Sequence, residues 1–367
     1  MLRAFIVDDE PPARARLRQL LAEAGDVLIV GEAGDPVEAR SAILDARPDV
    51  VFLDIEMPLE SGTAFAGSLP EPRPFVVFAT AFDRYALDAF AVDATDYLLK
   101  PITRARLVGT LSRVRERLSR RSDLERDLRD ASATQARLLP RSLPTVDGYD
   151  AAAMTIPARG VGGDFFVGQA VTATRVVYAL GDVSGKGVPA GLVASSLQAR
   201  LEALALHGAG SAAEVVADVN RALHERSETA RFATLAYLEL DAYIGEMTVI
   251  NAGHLPVMVL GRSGVLTMAE STGPALGVLP DAAFRAQTLA LAPGDSVVLY
   301  SDGVTEAFDA DDHEFGEDAL RRLLPALIHE PASQGCHRIL DAVRQHTSGT
   351  RATDDVTVMV LKRIGRA

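Results

Sequence analysis

What this chain has least of bounds its class before any motif is read. Cys336 is the only cysteine in 367 residues. Neither an intramolecular disulfide nor a cysteine metal cluster is therefore expected, and a cytoplasmic setting is the default. Long apolar runs are missing too. Phe75–Ala81 and Val356–Leu361 are of strand length, far short of the ~20 residues that cross a bilayer, so no membrane partner is expected. The opening MLRAFIVDDE places acids directly after a short apolar run and has no small-residue cleavage site, which is not the pattern of a signal peptide. Bases are outnumbered, 37 Lys and Arg against 50 Asp and Glu, for a formal net charge of −13. A dominant nucleic-acid surface needs a basic face, so nucleic acid is not the expected partner. Internal repeats and low-complexity tracts are also lacking. What remains, with 48% hydrophobic residues, is a soluble globular chain long enough for two or three domains with sizeable cores.

Residues 1–120 alternate short apolar runs with helical patterns, as in a doubly wound α/β domain. The runs Ala4–Val7, Val27–Val30, Val50–Leu53, Phe75–Phe78 and Asp96–Leu99 suit parallel strands buried on both faces. Helices are expected over Pro11–Ala24, Pro36–Ala46, Arg84–Ala91 and Thr103–Leu118. Pro11 and Pro36 fit first-turn positions and Gly25 a helix stop.

Residues 103–140 read as a helical connector ending near Leu139, before the turn-like LLPRSLP. Leu107, Leu111, Val114 and Leu118 make one apolar stripe. Leu124, Leu128, Ala131, Gln135 and Leu138 make a second, and the register breaks across Ser119–Asp123. Two readings stand: a solvated linker packing one face on its own domains, or a homodimeric coiled coil with a discontinuity that can switch. Residues 141–367 read as β-rich with intervening helices. Strands are expected at Arg175–Gly181, Phe232–Leu240, Glu246–Ala252, Pro256–Leu260, Ser296–Ser301 and Thr357–Leu361. Helices are expected at Pro189–Leu206, Ala212–Arg226, Glu317–Leu327 and Ala332–Gln345.

In the first domain, chemistry-bearing residues fall at strand ends. Asp8 and Asp9 follow the first strand, Asp54 the third, Thr80 the fourth and Lys100-Pro101 the fifth. The carboxyl ends of strands in an open parallel sheet form the ligand crevice. Three carboxylates there repel one another unless a divalent cation lies between them, and oxygen ligation suits Mg²⁺. The arrangement points to phosphoryl transfer onto a carboxylate. Asp54 is the nucleophile, and the metal and Lys100 neutralise developing charge, with Thr80 placed to bond a phosphoryl oxygen. Singly, each residue has a plainer reading: a solvated turn for Asp8 and Asp9, a surface charge for Lys100, a local backbone bond for Thr80, core for Tyr97.

These residues, within VDDEP, LDIEMP and TDYLLKP, closely resemble the response-regulator receiver family over about residues 2–120. The resemblance implies a five-stranded parallel sheet and phosphorylation of Asp54 by a histidine kinase or phosphotransfer protein. Asp9, Asp54 and the Glu56 carbonyl would bind the metal, with Asp8 assisting, and Tyr97 matches the family's aromatic switch position. The AFDRYALDAFAVDATDYLLKP segment is most similar to receivers joined to LytTR-type DNA-binding domains.

The second half carries acids in four separated motifs: VGGD ending at Asp164, GDVSGKG around Asp182, SDG around Asp302 and TDDVT around Asp354. Neighbouring glycines let backbone approach closely. Convergence of such carboxylates makes an oxygen-only site that favours Mg²⁺ or Mn²⁺ over zinc, and a bridged pair of metals can activate a shared water. The plainer reading is that GD and DG pairs are surface turns. GDVSGKG is no nucleotide-binding loop, because Gly187 follows Lys186 where Ser or Thr is needed.

PARGVGGDFF, LGDVSGKGVPAGL, FATLAYLELD, NAGHLP, LYSDGVTEA and DDVTVMVL resemble the PPM metal-dependent protein phosphatases of the SpoIIE-like branch, over about residues 137–363. The resemblance implies an α+β sandwich of two β-sheets between helical layers, and a binuclear centre of Mn²⁺ or Mg²⁺. Asp182 would bridge both metals and the Val183 carbonyl would bind one. Asp302 and Asp354 would bind the other, and Asp164 would act on the first. Asp355 is a further candidate, and Arg159 a candidate phosphate-binding arginine. GGDFFVG departs from the family's GGDFYD, losing an aromatic hydroxyl and a carboxylate near the site. Asn251 and His254 of NAGH read as a structural turn. The resemblance also suggests a phosphorylated anti-sigma-factor antagonist as substrate.

The leading expectation is thus a receiver-regulated serine/threonine phosphatase. A catalytically silent phosphatase-fold adaptor is the alternative, against which retention of Asp164, Asp182, Asp302 and Asp354 speaks. A DNA-binding regulator, suggested by the receiver subtype, is opposed by the acidic balance and by the lack of a basic segment after Leu118.

Overall fold

The computed structural model describes residues 1–81, 93–158, 160–208, 210–226, 231–348, 350 and 352–365. Two compact units divide between Arg126 and Asp127. None of the helices among the described residues is long and apolar enough to cross a membrane.

The first unit opens with β1 (Leu2–Val7), α1 (Pro11–Ala24), β2 (Val27–Ala33), α2 (Pro36–Ala46) and β3 (Val50–Leu53). It continues with α3 (Gly62–Gly67), β4 (Phe75–Thr80), β5 (Asp96–Leu99) and the start of α4 (Arg104–Leu138). The strands form one parallel sheet in the order β2-β1-β3-β4-β5. The alternation of side chains along a strand explains why these runs are apolar throughout. Leu2, Ala4 and Ile6 face Leu17, Leu20 and Leu21 of α1 and Leu107, Leu111 and Val114 of α4. Phe5 and Val7 face Ala39 and Ile43 of α2 and Phe65 of α3. Asp35 caps α2 by accepting from the Val37 and Glu38 amides. The short α3 was not expected from the sequence. Ser61 caps it, and Gly62 is required there, because a Cβ would lie 2.0 Å from the Asp54 carbonyl. The expected helix at Arg84–Ala91 lies outside the described residues.

The last helix of this unit and the connector are one element, α4, without interruption at Ser119–Asp123. Its first stripe is core: Leu107, Leu111 and Val114 are buried. Its second stripe is not, with Leu124 59%, Leu128 37% and Leu138 55% exposed.

The second unit holds two antiparallel five-stranded sheets. One, ordered β13-β10-β9-β8-β7, is built from β7 (Asp164–Ala170), β8 (Arg175–Val183), β9 (Ala233–Asp241), β10 (Glu246–Ala252) and β13 (Gln287–Ala290). The other, ordered β12-β11-β14-β15-β6, is built from β6 (Tyr149–Ile156), β11 (Val257–Leu260), β12 (Leu266–Ala269), β14 (Ser296–Tyr300) and β15 (Val356–Arg363). Helices α5 (Val188–His207) and α6 (Ala212–Arg226) cover the outer face of the first sheet. After the short α7 (Asp302–Thr305), α8 (Gly316–Leu327) and α9 (Ala332–His346) cover the second. Strict alternation makes the sandwich. Val176, Tyr178 and Leu180 enter the inter-sheet core with Val297, Leu299, Met359 and Leu361. Val177 and Ala179 turn to α5 and α6, while Val298, Val358 and Val360 turn to α8 and α9. The sequence did not reveal β6, β7, β12 or β13. The first reads DAAAM, which also suits a helix, the second begins in a glycine loop, and the others are four-residue edge strands.

Candidate functional site

In the first unit, β1 and β3 are adjacent, so the residues following them are brought together. Asp8, Asp9 and Asp54 have carboxylate oxygens within 4.8 Å of one another. Asp8 and Asp54 are buried. Lys100, just past β5, places Nζ 2.6 Å from Asp54 Oδ2 and 2.7 Å from Asp8 Oδ2. Burial works against the Lys100 charge, but hydrogen bonds to Asp54 and Asp8 outweigh it and raise the pKa. Burial raises the Asp8 carboxyl despite the neighbouring ammonium. Asp54 Oδ1 accepts from the Ile55 amide at 2.6 Å, leaving Oδ2 toward the lysine. Thr80 is the last residue of β4 rather than the first beyond it, and is buried. Its hydroxyl has no hydrogen-bond partner among the described residues. Tyr97 lies on β5, packed against the cluster of Phe65 and Phe78. Asp9 and Glu56 line an open cavity with Met57, Pro58 and Thr63. An all-oxygen donor set of this spacing fits a hard divalent cation such as Mg²⁺.

In the second unit, β7 and β8 pair so that Asp164 stands opposite Asp182. Asp302 begins α7 directly after β14, and Asp354 and Asp355 lie before β15, the neighbour of β14. Carboxylates from both sheets therefore meet at one end of the sandwich. Their electrostatics show it. Burial and then the charges of Asp302 and Asp354 push the Asp182 pKa up to about 7. Burial and then Asp182 raise Asp164 well above the carboxylate range. Burial and then Asp354 raise Asp302. Such mutually destabilised acids, all oxygen donors, fit divalent metal ions as counter-charge. The array is wider than the receiver triad. Among the described residues, the 4.8 Å spacing is met only there and in the Asp309, Asp311 and His313 cluster. In that cluster, Asp309 Oδ1 accepts from the Asp311 and His313 amides.

Glycine permits the closest approach. A Cβ on Gly163 would lie 2.6 Å from the Val183 carbonyl and 3.1 Å from Asp182 Oδ1. Thr357 donates its hydroxyl to Asp164 Oδ2 at 2.6 Å, and Ser301 Oγ accepts from the Thr357 amide at 2.9 Å. Asp355 is otherwise engaged: Oδ1 accepts from the Ala158 amide and Oδ2 from the Gly163 amide, both at 2.8 Å. Lys186 Nζ lies 2.8 Å from Asp354 Oδ2 and donates to the Thr353 carbonyl at 2.7 Å. Arg159 lies outside the described residues. Asn251 accepts from the His254 amide and donates to the Leu255 carbonyl, a turn as expected. Burial lowers the His254 pKa to about 4, so the ring is neutral. Sequence reasoning missed Thr357, Lys186 and the backbone clamp made by Asp355. Thr357 and Asp355 sit inside TDDVT, and Lys186 inside GDVSGKG, where adjacency to a proposed ligand was the available signal.

A family model described as Stage II sporulation protein E (SpoIIE) matches residues 172–364, and one described as Response regulator receiver domain matches residues 4–112. Over 121 residues the chain is 54% identical to Transcriptional regulatory protein BtsR of Escherichia coli (strain K12), covering 33% of this chain and 51% of that protein. The chain thus spans about half the length of the curated relatives it matches. The crystal structure of the RsbU and RsbW domains of a Mycobacterium tuberculosis protein superposes with a TM-score of 0.53 at 27% identity, over 63% of this chain and 64% of that one. The SiaA-PP2C domain of Pseudomonas aeruginosa superposes with a TM-score of 0.59 at 20% identity, over 66% of this chain and 98% of that one, a likeness of fold.

Proposed function

The chain belongs to the SpoIIE family and carries a response-regulator receiver domain ahead of its PPM phosphatase domain, and we propose that phosphorylation of Asp54 in the first controls phosphoester hydrolysis in the second. The receiver is assigned to residues 1–120, the connector to 103–140 and the phosphatase to 141–367. One observation carries the reading: Asp164 and Asp182, paired across β7 and β8, share their electrostatic environment with Asp302 and Asp354 from the other sheet.

In the receiver, Asp54 attacks the phosphorus of a phosphodonor, a histidine kinase or phosphotransfer protein. A P–O bond forms to the carboxylate as the donor's P–N bond breaks. Lys100 balances the developing charge; Asp9, Asp54 and the Glu56 carbonyl, with Asp8 beside them, would hold a Mg²⁺ that would supply further counter-charge. The Thr80 hydroxyl, without a partner among the described residues, turns to the new phosphoryl group, and Tyr97 follows.

In the phosphatase, Asp182, the Val183 carbonyl, Asp302, Asp354 and Asp164 would hold two Mn²⁺ or Mg²⁺ ions. Those ions, when bound, supply Lewis acidity to water and phosphoryl oxygen. Asp182, coupled electrostatically to Asp302 and Asp354 and paired with Asp164, would be the ligand shared by the two ions. Thr357 donates to Asp164, a bond that favours the carboxylate but is outweighed in the metal-free protein by burial and by Asp182. Lys186, beside Asp354, is a cation within reach of an incoming phosphate, and Arg159 is assigned the same task. The substrate is a phosphoserine or phosphothreonine protein, for which family resemblance favours an anti-sigma-factor antagonist. The exposed Leu124, Leu128 and Leu138 support a homodimer through the connector. The test is phosphate release from a phosphoserine protein with Mn²⁺, with chelator, and by Asp182→Ala. Metal-dependent release lost in the variant supports the enzyme. No release from the wild type under any metal leaves the silent adaptor.

A further inference from the structure

The second stripe of α4 contains one polar residue, Gln135, in line with Leu124, Leu128, Ala131 and Leu138. Both ends of its carboxamide bond the backbone of a single residue. Nε2 donates to the Gly162 carbonyl at 2.7 Å, and Oε1 accepts from the Gly162 amide at 2.9 Å. This two-point pairing mimics a strand bridge, and it lands two residues before Asp164.

The surroundings are cut to fit it. A Cβ on Gly191, in the first turn of α5, would lie 3.1 Å from Gln135 Nε2 and 2.4 Å from Val161 Cγ1. Only glycine leaves room there for the helix end and the loop together. Gln198, about two turns further along α5, donates to the Leu138 carbonyl at 2.8 Å and pins the same helix end. From the opposite side Asp355 accepts from the Gly163 amide, and a Cβ on Gly162 would lie 2.2 Å from its Oδ2. Gly162 and Gly163 are therefore gripped between a carboxamide and a carboxylate. Beneath them is a small cavity of about 100 Å³, bordered by Ser132, Gln135, Thr155, Gly160, Asp164 and Asp355. Beside this cavity, hydrogen bonds from Gln135 and Asp355 hold the Gly162 and Gly163 backbone.

We propose that Gln135 is a positioning residue for Asp164: by fixing the Gly162 backbone it sets how far the Asp164 carboxylate reaches toward the cation site shared with Asp182. The proposal rests on the reading of Asp164 and Asp182 as metal-holding residues. Gln135→Met keeps the length and bulk of the side chain and removes both bonds. Gln135→Glu keeps the acceptor for the Gly162 amide but sets a second oxygen against the Gly162 carbonyl.

The experiment uses the full chain. Mn²⁺ affinity is measured by calorimetry, kcat and KM with a phosphoserine protein, and melting of the metal-free protein. Gln135→Met should lower Mn²⁺ affinity about tenfold, the scale of two lost hydrogen bonds of ordinary strength. It should lower kcat more than KM at limiting Mn²⁺, with kcat recovering as Mn²⁺ is raised, and metal-free melting should fall modestly because the Gly162 backbone groups lose their partners. Gln135→Glu should lose at least as much affinity, and it stands in should the Met variant fail to fold. Unchanged Mn²⁺ affinity in both variants, or a fall in melting temperature alone, would overturn the proposal and leave Gln135 a packing residue. The wild-type measurements judge the underlying reading separately. Wild type that binds Mn²⁺ without releasing phosphate refutes the phosphatase while the affinity comparison still decides Gln135. Wild type that binds no Mn²⁺ refutes both.

Discussion

Asp182 is costly to ionise where it stands, because burial and then the charges of Asp302 and Asp354 hold its pKa near 7. Metal-free protein should therefore show a particular pH dependence. A carboxyl with a raised folded pKa binds its proton more tightly folded than unfolded. Its contribution to stability is full below the ordinary value of 3.8 and is lost as pH rises to about 7. Chemical denaturation of chelated protein from pH 4 to 8 should show this loss, and Asp182→Asn should flatten it. An identical profile in the variant would contradict the electrostatic account. With metal present, Asp182→Ala should lower kcat/KM about a hundredfold or more while unfolding stays cooperative. In the receiver, Asp54→Asn should abolish labelling by a small-molecule phosphodonor, whereas undiminished labelling would place the phosphoacceptor elsewhere. The Asp residues were singled out in the sequence because several fall at the ends of apolar runs. Thr357 and the backbone contacts of Asp355 and Gln135 were not, because each acts on backbone or on another side chain across 27 to 193 residues of chain. Local pattern carries no trace of such pairings.

Elements with a clean period came through the sequence well, and those without one did not. Strands β3, β5 and β10 and helices α1, α2 and α6 have the limits expected from apolar runs, prolines and stops. The edge strands β12 and β13 were lost because four residues with one face exposed hold too little pattern. β15 reaches two residues past the expected Leu361 to include a charge, Lys362, in its buried part. Lys362 donates to the Leu327 carbonyl at 2.7 Å and the Ile328 carbonyl at 2.9 Å, and also to the Glu330 carbonyl, closing the open end of α8. Lys362→Met should therefore lower stability by ~1–3 kcal/mol in urea, the cost of leaving buried carbonyls unpaired. A neutral result would show that water satisfies them. The connector α4 makes its own prediction. It runs from Arg104 to Leu138 without a glycine or proline after Gly109, and a continuous helix transmits rotation or shift where a flexible linker cannot. A Gly/Ser insertion after Arg121 should abolish the effect of phosphodonor on phosphatase rate and spare the basal rate. An unchanged response would make the helix a tether.

At the scale of the whole molecule, an acidic chain of two units joins a response-regulator receiver domain to a PPM phosphatase domain. Fold class was legible throughout, since a parallel sheet buried on both faces and an antiparallel sandwich write different patterns. Control of one unit by the other is written in no single pattern and has to be measured. The most direct measurement is the rate of dephosphorylation of a phosphoserine protein by full-length chain with Mn²⁺, with and without acetyl phosphate, for wild type and Asp54→Asn. The account predicts that acetyl phosphate changes the wild-type rate severalfold and leaves the variant's rate unmoved. Equal wild-type rates with and without the donor, despite stoichiometric phosphorylation of Asp54, would contradict it.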